Sequence, residues 1–238
     1  MKLKIINNKI FLYTFFTIIA FLSRYYLLEG RESWHDEWHS IYVAKPFLSI
    51  SETLSRYYGD KGGEILTEFY PHIYLFILKY FFEIFGYIDT NGRWLSLIAG
   101  TLVVPLSIYL STFFIDIKKN FFTGFILAFN LFLIWQSLEI RAHSLLVFTS
   151  LVCIILFYKL IEKKNYFNII AYTSVSIFLL SLWPISGAIF FGKAIYITKK
   201  LIVDKNFEKK IFLLFVIILL SYIILNIDYL KLNLARDF

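Results

Sequence analysis

Apolar runs recur along the whole chain and are separated by short polar breaks. Six stretches stand out: 10–28, 70–86, 93–115, 121–161, 166–199 and 211–227. Their length and lack of two-residue alternation predict helices, most of them long enough to cross a bilayer. The stretch 121–161 reads as a hairpin whose tip is "LEIRAH" at 138–143. The stretch 166–199 reads as a second hairpin, broken at "WPISG", where Pro184 removes a helical hydrogen bond. Residues 46–58 also follow a helical period and begin on Pro46, a favoured first position. The turn "GDKGG" at 59–63 closes that segment. The pattern predicts an all-α, polytopic membrane protein.

Charge sets the direction of each run. Lysines precede the first span and put the N-terminus in the cytoplasm. The basic breaks "IKKN" at 117–120, "EKKN" at 162–165, "ITKK" at 197–200 and "EKK" at 208–210 belong on the same side. If both 70–86 and 93–115 crossed, "IKKN" would face outward. The shorter run, with His72, Lys79 and Glu83 on one face, is therefore expected to lie in the outer interface. Seven spans follow, with residues 29–92 as an outer loop carrying interfacial helices in a single module. Residues 29–69 hold eight of the chain's 17 acids, the counterpart of the basic inner breaks. A chain that is 59% hydrophobic with mean hydropathy +0.68 is no ordinary soluble domain. Its net charge of +7 lies in the loops between spans and is no nucleic-acid signal. The single Cys153 excludes a disulfide within the chain and a CxxC metal motif. The first span continues into "SRYYLLEGRE" without a cleavage signal, so it reads as retained.

This topology gathers the unusual polar residues on the outer side. They are His35, Asp36, Glu37, His39, Glu64, Glu68, His72, Arg93, Glu139, Arg141, His143 and Trp183. "SWHDEWHS", residues 33–40, suggests zinc because His35 and His39 are four apart. A zincin needs Glu directly after the first His, and here Asp36 stands in that place. The alternative is acid–base work. A carboxylate above the membrane can take a proton from a hydroxyl, and an arginine can neutralise a phosphate leaving group. Solvated loop charges and interfacial Trp anchors remain the plainer reading of the same residues. Few charges lie within the spans and no repeat is visible, so a transporter fits less well.

Four motifs in order carry a resemblance. They are Asp36-Glu37 after the first span, Tyr70-Pro71-His72-Ile73-Tyr74, Arg93-Trp94-Leu95-Ser96, and Glu139-Ile140-Arg141-Ala142-His143-Ser144-Leu145. Over about residues 10–200 the chain resembles the GT-C superfamily of membrane glycosyltransferases. The similar branch comprises protein O-mannosyltransferases, lipid A aminoarabinose transferases and rhizobial galacturonosyltransferases. The resemblance implies an inverting transferase that moves a sugar from a polyprenyl-phosphate donor to a lipid or protein hydroxyl. The reaction would take place on the outer face of the plasma membrane. Asp36 would be the base, with Glu37 beside it. Arg93 and Arg141 would face the donor phosphate or support the site, with Glu139, Glu68, His72 and His143 as further substrate-side residues. His72 follows its Pro rather than preceding it, and His143 replaces the usual Tyr. No metal ligand set is assigned. The lipid-linked donor takes the place of a cofactor, and a divalent cation is left open. Relatives commonly carry further spans, whereas this sequence stops at "NLARDF". The alternative is therefore a truncated, non-catalytic module acting as a lipid-binding or partner subunit.

Overall fold

The computed structural model describes residues 2–28, 31–58, 72–116, 120–203, 209–227 and 230–231. All regular elements among them are helical: α1 (Lys2–Tyr25), α2 (His35–Val43), α3 (Ile50–Tyr58), α4 (Ile73–Phe85), α5 (Asp89–Ser111), α6 (Asn120–Ala128), α7 (Leu131–Gln136), α8 (His143–Glu162), α9 (Tyr166–Leu182), α10 (Gly187–Val203) and α11 (Lys209–Leu225). A 3-10 turn at Pro184–Ser186 separates α9 from α10, where the "WPISG" break was expected. The chain divides into two compact units, residues 1–67 with 74–151 and residues 68–73 with 152–238.

In the first unit α1, α5 and α6 pack around Leu12, Phe16, Ala20, Val104, Ile108 and Ala128. Gly124 lets α6 approach α1 closely, since a Cβ there would stand 2.4 Å from the Phe16 ring. Leu28, Leu97, Ile134 and Leu138 form a second cluster, covered by Phe21 and Trp94. In the second unit the rings of Phe157, Tyr172 and Phe215 pack mutually, tilted or edge-on, at centroid distances of 5.8–6.3 Å. Asn226 Nδ2 donates to Ser181 Oγ at 3.1 Å and ties the end of α11 to α9.

Among the described residues two helices, α5 and α8, are long and apolar enough to cross a membrane. Less than half of each is buried, unlike the core helix of a soluble protein. Many large apolar side chains elsewhere are also exposed, including Phe11, Leu22, Phe122 and Ile224. The described helices thus match a membrane protein in class. The helices α9 and α11 are apolar but shorter.

Several expected boundaries move. The outward arm of the first hairpin is not one helix. It breaks at Phe129–Asn130, where the Asn130 side chain accepts from the Leu133 N–H at 2.9 Å and starts α7 afresh. The helix expected from Pro46 begins at Ile50 instead. Ser49 and Glu52 form a reciprocal cap: Ser49 Oγ accepts from the Glu52 N–H, and the Glu52 carboxylate accepts from the Ser49 N–H. Lys79, expected on a polar face of α4, is 4% exposed and donates to Glu83 at 2.6 Å. The turn at 59–63 lies outside the described residues.

Candidate functional site

The site is built where α1, α2, α5 and the loop 137–142 meet in the first unit. The helix α2 starts with Trp34 as N-cap, and Asp36 and Glu37 fall in its first turn. Acids are favoured there by the helix dipole. Glu37 also closes the turn, since its Oε2 accepts from the Trp34 N–H at 3.3 Å.

The adjacent acids go separate ways. Glu37 is fully buried. Its Oε2 lies 3.4 Å from Arg93 Nη2, and its Oε1 accepts from the Ile140 N–H at 2.8 Å. Arg93, in the second turn of α5, is 2% exposed. It also donates to the Arg31 carbonyl at 2.6 Å and to Ser33 Oγ at 3.0 Å. Ser33 in turn donates to Asp89 at 2.5 Å. One buried ion pair therefore clamps α2, α5 and the loop. Asp36 points the other way, with its side chain 42% exposed, and accepts from Arg141 Nη1. The Arg141 guanidinium stands 6.0 Å from the Trp34 ring, and the Arg141 carbonyl accepts from Ser96 Oγ at 3.3 Å.

A second layer fixes the loop from behind. Glu139 is 3% exposed. It accepts from Trp135 Nε1 and lies 3.5 Å from Arg31 Nη2 and 3.4 Å from His143 Nδ1. Burial pushes its carboxyl pKa up. Hydrogen bonds from His143 and Trp135, with the charges of His143 and Arg31, outweigh that and hold it below the ordinary range. Arg31 also lies over the Trp135 ring at 4.9 Å.

Arg24, in the last turn of α1, was not among the expected site residues. It is fully buried, donates to Ser137 Oγ at 3.0 Å and to the Ala20 carbonyl at 2.9 Å, and keeps Nη2 without a partner among the described residues. An arginine inside an apolar run is itself a functional signal, and the sequence carried it. Gly100 makes this anchorage fit, because a Cβ there would stand 1.9 Å from Ser137 Oγ.

Of the expected residues, Asp36, Glu37, Arg93, Glu139, Arg141 and His143 come together in the first unit. His72 belongs to the second unit. Glu64 and Glu68 lie outside the described residues. His35 is exposed on α2. His39 is half-buried, its Nε2 has no partner among the described residues, and its pKa is lowered by burial and then by Arg141 and His35, against an opposing pull from Asp36. Among the described residues no three His, Cys, Asp or Glu side chains are placed to hold a metal ion.

The arrangement offers a half-open carboxylate beside a guanidinium, on a base of compensated charges. That set can accept a proton and neutralise an anion at one place. No family model, curated protein or solved structure matches the chain.

Proposed function

We propose that the chain is a membrane glycosyltransferase. It transfers a sugar from a polyprenyl-phosphate donor to a lipid or protein hydroxyl on the outer face of the plasma membrane. The observation that carries this reading is the split of the acidic pair: Glu37 is sealed by Arg93, while Asp36 stays half-open against Arg141.

Asp36 accepts the proton of the acceptor hydroxyl as its oxygen attacks the anomeric carbon. The bond from that carbon to the phosphate oxygen breaks, and the electron pair leaves on the phosphate. Arg141, next to Asp36, faces the charge that develops there. Arg93 acts through Glu37, holding α2 and the 137–142 loop in place. Glu139 and Arg31 brace the loop behind. The lipid tail of the donor keeps the reaction at the membrane boundary, where the loop follows directly on an apolar helix.

The test is Asp36→Asn, which keeps shape and cannot take the proton. A deletion strain is complemented with wild type or variant, and its glycolipids and glycoproteins are profiled. The wild type restores a sugar-bearing product. The variant inserts normally, and its transfer falls by about a hundred- to ten-thousand-fold. Full restoration by Asp36→Asn sinks the assignment.

A further inference from the structure

Phe47, in the loop between α2 and α3, is the one non-glycine residue with positive φ among the described residues, at 62°. A bulky side chain in this left-handed region is a backbone outlier that persists only where its surroundings hold it. Here α4 does so. The Phe47 N–H donates to Glu83 Oε1 at 3.0 Å, and Lys79 Nζ donates to the same oxygen at 2.6 Å. What the strained backbone presents is an aromatic ring that is 85% exposed.

That ring has company. Trp34, the N-cap of α2, and Trp38 and Tyr42 on the helix are spaced four apart in sequence and are 47%, 57% and 48% exposed. The other face of α2 buries Glu37, Ser40, Ile41 and Val43, so the stripe is not an unfinished core. Cations accompany it: Arg56 lies over the Tyr42 ring at 4.4 Å, and Lys45, two positions before Phe47 in sequence, is exposed. Aromatic rings interleaved with cations suit the headgroup level of a bilayer, where rings meet the acyl boundary and cations meet phosphates. Just past α1, Tyr26 and Leu27 are also exposed, at 85% and 47%.

We infer that the α2–Phe47 edge docks into the lipid headgroup layer, with Phe47 as a wedge held out by Glu83. The docking would set the depth at which Asp36 meets a lipid-linked substrate. The inference rests on the membrane reading and not on the transferase reading.

Cys153 is the sole and buried cysteine, so Cys153→Ser gives a background for single spin labels. Labels go at Phe47→Cys, at Trp38→Cys as a second position on the edge, and at Ile98→Cys on the exposed side of α5 as a span control. The full chain is placed in nanodiscs of phosphatidylcholine and phosphatidylglycerol. Collision rates with oxygen and with a water-soluble nickel chelate are then measured. The expected result is that labels 47 and 38 favour oxygen, at a shallower depth than label 98. Two outcomes overturn the docking while leaving the membrane reading intact. In one, labels 47 and 38 meet nickel freely while label 98 stays lipidic. In the other, both edge labels are shielded from both reagents, which means that protein covers them. If all three labels meet nickel freely, the membrane reading fails and the docking fails with it.

Discussion

Arg93 and Lys193 are both cations sealed among helices, at 2% and 6% exposure, yet their surroundings differ in kind. Arg93 meets a carboxylate, a carbonyl and a hydroxyl, and the carboxylate reaches on to the Ile140 N–H of the 137–142 loop. Lys193 donates to the Cys153 thiol at 3.0 Å and faces the rings of Phe157, Tyr172 and Phe190 at 4.8–5.5 Å. The first region compensates charge with charge, which leaves the neighbouring Asp36 free to face outward. The second region shields a charge with polarisable sulfur and ring faces. Compensated charge fixes positions tightly enough for chemistry, whereas ring faces tolerate exchange of what they surround.

Breaking the first region has the largest effect. Glu37→Ala leaves the buried Arg93 without its carboxylate and costs about 3–5 kcal/mol, read as a lower unfolding midpoint in detergent. Pairing it with Arg93→Met recovers much of the loss, because no buried charge is then left unmatched. Gly100→Ala comes next. Its Cβ would collide with Ser137 and dislodge the Arg24 anchorage. Overpacking of this kind costs about 1–3 kcal/mol and is read in the same melt. Lys193→Met sharpens the contrast from the other side. A near-isosteric apolar chain within the ring faces changes stability by less than about 1.5 kcal/mol. A loss as large as that of Glu37→Ala would mean that Lys193 also sits in a charge network.

The smallest expected effect is a pH dependence. The Glu139 pKa is held below its ordinary 4.5, so its contribution is present above that value and fades as pH falls through the depressed one. The difference in unfolding midpoint between wild type and Glu139→Gln is therefore expected to hold at neutral pH and to shrink below pH 4.5. A difference that grows on acidification would reverse the sign.

The helical class and the main turns could be read from periodicity, Pro184 and the charged breaks. The restart at Asn130 could not, because it lies inside an unbroken apolar run and one side-chain cap outweighs the run's continuity. The Ser49–Glu52 cap was present in the sequence, but Pro46 offered a competing start three residues earlier. At the site, the charge-based topology and the motif order led to the expectation that Asp36, Glu37, Glu139 and Arg141 lie on one side, and these residues meet in the first unit. Which acid would be sealed could not be read in this way, since burial depends on how Ile140 and Arg93 pack against α2. Arg31 and Ser33 had no local signature either, because they act through contacts that span about sixty residues of chain.

The restart at Phe129–Asn130 also splits one apolar run into two short helices. Loose backbone facing lipid does not persist within the hydrocarbon of a bilayer. Phe129, Leu131 and Phe132 beside the break are 49%, 80% and 69% exposed. The nine residues of α6 rise only about 13.5 Å, well short of the usual thickness of about 30 Å. Under the proposed membrane reading neither α6 nor α7 alone would span the hydrocarbon, so the lipid or neighbouring protein would have to accommodate the break between them.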